Sequence, residues 1–474
     1  AILSAAAESH RRTGSFDRKF SETPPPKKFG CSMETHMNAR EAAFLSLLKY
    51  ENHGVYSNIE LSYSIERNHL EGAEKALYTA LFYGVIERKL TLDYYIAMLS
   101  DRPEHEIDIN IRVILRIGLY QLLYINKIPE SAAVNESVKL AGRFYAKKNS
   151  ESFINAVLRS FLRRKQELSL PDRTKDPIKA LSILYSVPEW ICRLWCDTYG
   201  VETAEKILKT LNVPPAMTLT VNTLKNTPSE FLSLLAASGI DARQSALSPN
   251  SIRLAGALPL NRLSSLEGRY FVQDEASALC VLAMDIQPGE AVLDACACPG
   301  GKSFGMAMAM QNTGRICSFD LHKNKLPLIE KGAASLGITI IETGVQNAAV
   351  SREDMPRFDR ILCDVPCSGL GVLAKKPDIR YKSENDVQKL PELQYRILKT
   401  SAQYLKNGGT LVYSTCTLNP AENHDVLKRF LNEHSDFSFC PFEAGTLHSD
   451  GILEILPHEY GTDGFFIAKL KKKD

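Results

Sequence analysis

No stretch limits what this chain can become as strongly as AVLDACACPGGK, Ala291–Lys302. Three apolar residues (Ala291, Val292, Leu293) read as a short strand, Asp294 follows, and a turn of small residues ends in Pro299, Gly300 and Gly301. The run SFGMAMAM then begins a helix at once. Strand, glycine turn and helix start form a unit in which bare backbone and helix N–H groups can approach a bound group. Two phosphate-binding versions of that unit are excluded. A phosphate-binding loop needs glycine where Cys296 stands, and the G-x-G-x-x-G spacing fails on glycines at 300, 301 and 305.

Further strands carry the rest of the chemistry. RICSFD ends in Asp320, about twenty residues after the glycines, where an acid can take a pair of ribose hydroxyls. RILCD runs into DVPCSG, Asp364 to Gly369, and TLVYSTCT ends at Thr417. With ITIIE between them and GFFIAKLKK as an apolar last strand, the pattern is a doubly wound α/β domain. Its polar residues lie at the C-terminal ends of successive strands, the crevice side of such a sheet.

Length and composition bound the remainder. A chain of 474 residues is too long for one core, and 44% hydrophobic with 24% charged residues is ordinary for a soluble protein. The net charge of +2 requires any nucleic-acid binding to come from local patches. No apolar run approaches the ~18 residues of a membrane span, so no membrane partner is expected. Eleven cysteines, an odd number, predict free thiols in a reducing compartment, hence the cytoplasm. Residues 1–36 match no later part of the chain; they read as a disordered extension or start-site artefact with Met37 as the natural start, a targeting peptide being the alternative.

Residues 37–170 show helical periodicity, with Phe44, Leu47 and Leu48 opening one stripe and Ile111, Ile114, Leu115, Gly118 and Leu122 another. In its last helix Phe153, Ile154, Val157, Leu158, Phe161 and Leu162 form the inward stripe. Arg159, Arg163, Arg164 and Lys165 point outward, with Lys139, Arg143, Lys147 and Lys148 near in sequence, a candidate phosphate-contacting face or else a solvated one. Residues 171–265 read as a linker to Pro188 and then a small α+β module, with a helix at VPEWICRLWCDTYG, a strand at MTLTVNTLK, a helix near Ser229–Ser238 and a strand at Ser251–Leu254. Cys192 and Cys196 lie one helical turn apart with no second pair nearby, so they read as structural thiols. The α/β domain fills 266–474, with NGG at Asn407–Gly409 as a turn before its strand.

Taken together, PGGK, PCSG and TCT resemble the RNA cytosine-C5 methyltransferases that use S-adenosylmethionine. The helical half, through GLYQLLYINKIPESAAVNESVKLA and INAVLRSFLRR, resembles the NusB-like RNA-binding bundle of the ribosomal small-subunit (RsmB, Sun/Fmu) type. The resemblance implies three parts: an all-α NusB-like bundle, a small α+β RNA-binding module and a Rossmann-like catalytic domain. It implies that Cys296, Ala297, Cys298, Pro299, Gly300, Gly301 and Lys302 form the S-adenosylmethionine loop, CACPGGK where the family has CAAPGGK. It also implies that Asp320 takes the ribose, and that Gln346 stands where an acid usually meets the adenine. The expected substrate is an unpaired or loop cytosine of 16S ribosomal RNA, with transfer RNA as the rival, and the protein is expected to act as a monomer.

Cytosine C5 is a weak nucleophile, and adding a thiolate to C6 turns the ring into an enamine able to attack a sulfonium methyl; cysteine suits that step. The resemblance assigns Cys416 as nucleophile, Cys367 as the residue assisting release and Asp364 as the acid holding the cytosine edge, with Lys302 placing cofactor or base. No metal is expected; zinc on Cys296, Cys363, Cys367 and Cys416 is the lesser alternative. Tyr381 and Tyr413 are candidates to stack on the base, though each is more often core or surface.

Overall fold

A computed structural model describes residues 37–145, 147–256 and 260–474; the expectations for residues 1–36 lie outside them. The chain forms two compact units, one reaching to Cys192 and one from Arg193 to Asp474. No helix among the described residues is long and apolar enough to cross a membrane.

The first unit is helical. Its helices are Ala39–His53, Ser57–Arg67, Gly72–Glu87, Lys89–Leu99, Ile109–Tyr124, Glu130–Phe144, Ser150–Arg164 and Pro177–Tyr185. Asn38 starts the first with a capping box, its side chain accepting from the Glu41 N–H while Glu41 reaches back. Ile109–Tyr124 is the central helix, because Val113, Ile114, Leu115, Ile117 and Leu119 are apolar nearly all round it and fully buried. Gly118 lets Ser150–Arg164 come close, since a Cβ there would stand 2.8 Å from the Leu158 side chain. Arg116, inside the bundle, is held by Asp93 at 2.6 Å and Glu51 at 3.0 Å.

Pro177–Tyr185 corrects the linker reading of that segment. Proline at its first turn and the Asp176 cap start a helix whose Ala180, Leu181 and Tyr185 are buried. Polar turn residues around it hid this short apolar stripe.

In the second unit a small antiparallel sheet has strand order β2-β3-β1-β4, with β1 Thr218–Val221, β2 Ala242–Gln244, β3 Ser251–Leu254 and β4 Tyr270–Val272. Helix Pro228–Ala237 covers it through Phe231 and Leu235. β4 falls within 266–474, the stretch assigned to the α/β domain, yet it pairs with β1. Asn222 ties this sheet to the α/β part of the same unit by donating to Gly268 O and Leu336 O, both at 2.8 Å.

The large sheet contains β5 Ala291–Asp294, β6 Arg315–Asp320, β7 Ile341–Val345, β8 Phe358–Asp364, β9 Leu405–Thr415, β10 Phe437–Phe439, β13 Ile452–Ile455 and β14 Phe465–Lys472. Its order is β10-β14-β9-β8-β5-β6-β7, with β13 also on β14; strands β5 to β9 run parallel and β14 antiparallel. A separate hairpin joins β11 Phe442–Ala444 to β12 Leu447–Ser449. Helices Glu275–Ala283, Gly301–Ala309 and Leu326–Leu336 cover one face, Leu390–Ala402 and His424–Glu433 the other.

Two local expectations shift. β7 starts at Ile341 rather than Ile338, because Ile338 N–H closes the preceding helix on Ala333 O at 2.9 Å behind the left-handed Gly337. Asn407–Gly409 lies within β9: Phe358 pairs with Leu405 but Arg360 with Thr410, so the glycines bulge inside the strand. β5 has β6 on one side and β8 on the other, and the chain reverses its winding there. A crevice opens at such a switch point beyond the strand ends.

Candidate active site

That crevice is a cleft of about 200 Å³ lined by Val272, Gln273, Asp274, Ser277, Asp294, Cys296 to Pro299, Gly301, Lys302 and Asp364. Its floor is the loop after β5. Gly300 has φ +108°, and a Cβ there would meet the Phe304 ring at 2.7 Å, so both conformation and space demand glycine. Gly300 N–H turns back to Ala297 O at 2.7 Å and Ala297 N–H joins Phe319 O at 2.8 Å, which fixes the loop against the end of β6.

Asp320 caps that strand. Its carboxylate accepts from His322 N at 2.9 Å and Cys298 N at 3.4 Å, which leaves lone-pair capacity for two hydroxyls. Asp294 is buried, takes the Ser303 hydroxyl at 2.6 Å on Oδ2, and has no partner on Oδ1; burial pushes it up to about 7. Gln346 directs its amide nitrogen to Val350 O at 3.0 Å and Asn347 O at 3.3 Å, so its side-chain oxygen is the acceptor left to offer. An unpartnered buried oxygen, a loop without side-chain bulk and an acid held by main-chain N–H groups fit S-adenosylmethionine.

Beside the cleft, Lys302 Nζ pairs with Asp364 Oδ2 at 2.7 Å, and Asp364 Oδ1 accepts from Ser414 Oγ at 2.9 Å. Burial, the largest single influence, would lower the Lys302 ammonium, but the charge and hydrogen bond of Asp364 together with Cys280 and Cys416 outweigh it and the net direction is upward. The ammonium also lies 5.1 Å from the centre of the Phe465 ring.

Past the ends of β8 and β9, the Sγ atoms of Cys367 and Cys416 lie 3.2 Å apart. The hydrogen bond from Cys367 lowers the Cys416 thiol below the ordinary range, with Lys302 and Lys376 adding to that direction, against burial and Asp364. The same contact, followed by burial, drives Cys367 upward. Burial pushes Cys280, Cys298 and Cys363 up to about 12 and raises Cys296 as well. Of these six thiols around the cleft, Cys416 alone is poised to be a thiolate.

The stacking candidates fare differently. Tyr413 is fully buried with its hydroxyl on Glu422 O at 2.5 Å, so it is core and offers no face to a base, while Tyr381 is half-buried. The outward arginines are exposed, but not all are unengaged: Arg164 pairs with Glu167 at 3.6 Å, Lys165 with Glu130 at 2.9 Å, and Arg159 Nε bonds Asn155 at 2.9 Å. Sequence reasoning missed Ser303, Ser368, Gln394 and Glu422, positions with no motif of their own; Glu422 meets Ser368 and Gln394 only across 54 and 28 positions of chain. It also missed Gln273 and Asp274, although they stand in the QDE run just ahead of the catalytic strands.

The comparisons agree with this architecture. Residues 281–471 match the family described as 16S rRNA methyltransferase RsmB/F, residues 37–163 the NusB family, and residues 187–261 the RsmF/B-like ferredoxin-like domain. A probable ribosomal RNA small subunit methyltransferase B of Bacillus subtilis is 40% identical over 446 residues, 92% of this chain and 99% of that protein. Ribosomal RNA small subunit methyltransferase B of Shigella sonnei is 33% identical over 84% of this chain and 91% of its own length. Among solved structures, PH0851 superposes with TM-score 0.75 at 25% identity, covering 94% of this chain and all of that one. NSun6 from Pyrococcus horikoshii, solved with SFG, shares the fold over 60% of this chain and 98% of its own, at TM-score 0.54 and 21% identity. Together with the cleft at β5 and the paired thiols, these matches show that the chain belongs to the RsmB/F family of 16S ribosomal RNA methyltransferases.

Proposed function

We propose that this protein methylates C5 of a cytosine in 16S ribosomal RNA through a covalent bond between Cys416 and C6. The observation that carries the reading is the polarised thiol pair at 3.2 Å, set beside the Lys302–Asp364 pair at the mouth of the cofactor cleft.

S-adenosylmethionine, when bound over the 296–302 loop with its ribose on Asp320 and its adenine near Gln346, supplies an electrophilic methyl. The Cys416 thiolate adds to C6, and the C5=C6 electrons move toward C4 and N3. As that charge builds, N3 takes a proton from Asp364, whose carboxyl group Lys302 and Ser414 keep in place at the N3 edge, and the proton returns when the ring is restored. C5 thereby becomes nucleophilic. Once C5 carries the methyl, its proton must leave so that the C5=C6 bond re-forms and the Cys416 sulfur departs. Cys367 serves that step: its thiol is held protonated mainly by the neighbouring Cys416, and that hindrance ends when Cys416 sulfur is bonded to carbon.

A stacked cytosine offers neither face to such a site, so the target is an unpaired or loop base turned out of its stack. The exposed arginines of Ser150–Arg164 contact phosphates and position the RNA without reading it. The protein acts as a cytoplasmic monomer, residues 37–170 and 171–265 serving RNA binding and 266–474 catalysis. Nucleoside mass spectrometry after incubation with S-adenosylmethionine and unmethylated 16S RNA tests the reading. Appearance of 5-methylcytosine is expected; another methylated nucleoside, or product on transfer RNA alone, contradicts it.

A further inference from the structure

The loops that carry the two thiols meet on one fully buried carboxylate, Glu422. Its Oε2 accepts from the Ser368 backbone N–H at 2.8 Å and from Gln394 Nε2 at 2.9 Å. Its Oε1 accepts from Ser368 Oγ at 2.5 Å, Asn419 Nδ2 at 3.0 Å and Thr417 Oγ1 at 3.4 Å. Ser368 directly follows Cys367, and Thr417 directly follows Cys416. Gln394 also donates to Pro366 O at 3.0 Å, one residue before Cys367, and the Ser368 and Thr417 hydroxyls touch at 2.7 Å. Nothing but this carboxylate receives from both sides of the thiol pair among the described hydrogen bonds.

A carboxylate this deep is costly unless donors satisfy it, and among the described residues no lysine or arginine forms an ion pair with it. A fold needing only packing would be served by an apolar side chain. The cost is spent where two loops must be held in register, because a shift of either loop by a fraction of an ångström breaks the sulfur–sulfur contact.

We propose that Glu422 is a positioning residue for methyl transfer: it clamps the 366–368 and 417–419 segments so that Cys416 is held for attack and Cys367 for release. The proposal rests on the cysteine roles given under Proposed function. In Glu422→Gln, one oxygen becomes an NH₂ group facing donors. Turned toward Oε2 it meets the Ser368 N–H, and turned toward Oε1 it meets Asn419 Nδ2.

The experiment measures how fast a denaturation-resistant protein–RNA adduct forms with S-adenosylmethionine and unmethylated 16S RNA. It compares Cys367→Ala with Cys367→Ala/Glu422→Gln, alongside calorimetric affinity for S-adenosylmethionine. Misplacing the nucleophile should slow adduct formation by ~100-fold while cofactor affinity stays within about twofold. Adding Asn419→Asp, which returns an acceptor to face the new NH₂, should restore much of the rate. In otherwise wild-type protein, Glu422→Gln should lower kcat and leave KM for S-adenosylmethionine in place. If Glu422→Gln does not fold, Thr417→Val in the Cys367→Ala background reads the same clamp and should slow the adduct by roughly tenfold. Adduct formation at the parental rate in either folded variant overturns the proposal. Absence of adduct already in Cys367→Ala removes the cysteine assignment itself, a separate and distinguishable failure.

Discussion

The sulfurs of Cys367 and Cys416 lie 3.2 Å apart, one just beyond β8 and the other just beyond β9, so that one can donate to the other as a thiolate. Lys302 and Lys376 on one side with Glu422 on the other favour the charge on Cys416. The donor hydrogen of Cys367 stabilises a Cys416 thiolate and so lowers its pKa. Alkylation of Cys416 by iodoacetamide, followed peptide by peptide, should therefore titrate below the ordinary thiol range. In Cys367→Ala the titration should move upward in pH. No movement would mean that the contact does not stabilise the thiolate.

Lys302 and Asp364 form a largely buried pair, with side chains 13% and 28% exposed. Lys302→Met leaves the carboxylate without its counter-charge and should destabilise the protein by about 3 kcal/mol in urea unfolding. Lys302→Met/Asp364→Leu removes both charges and should recover part of that loss. A double variant less stable than the single would contradict the pairing.

Asp294 gives stability a pH dependence opposite to that of most carboxylates. Burial raises its folded pKa to about 7, above the unfolded value of 3.8, so the folded state binds the extra proton between those limits. Its favourable contribution is complete below pH 3.8 and is lost as pH rises through about 7. Asp294→Asn keeps the shape without the titration. Relative to wild type, cofactor-free Asp294→Asn should gain stability between pH 5 and pH 8; a constant difference across that range would show that Asp294 stays ionised.

On the helix Ser150–Arg164, Arg163 and Arg159 are better placed for phosphate than Lys165, which already holds Glu130 at 2.9 Å. Replacing Arg163 or Arg159 by glutamine should weaken RNA binding across sequences and reduce the salt slope of log K by about one each. Lys165→Gln should do less. Equal, negligible effects for all three would leave this face as solvated surface.

The catalytic half was readable because its signals are local. CACPGGK needs glycine for a steric reason that sequence spacing carries, and β5, β6, β8 and β9 each carry a short apolar stretch before they end in Asp294, Asp320, Asp364 and Thr415. What escaped depends on distant partners. Glu422 looks like any loop glutamate until Ser368, 54 positions earlier, is folded against it. β4 was misplaced because its three residues carry too little pattern to show that they pair with β1. The bulge in β9 was read as a turn, since NGG gives the same signal in both settings and only the pairing with β8 separates them. Tyr413 lies on an alternating strand that exposes neither face.

The central claim is that Cys416 attacks and Cys367 releases. Wild type, Cys367→Ala and Cys416→Ala, each incubated with S-adenosylmethionine and unmethylated 16S RNA, are resolved on denaturing gels for covalent adduct. Accumulation in Cys367→Ala, with none in Cys416→Ala, is the predicted result. Accumulation in Cys416→Ala instead would reverse the two roles and contradict the account.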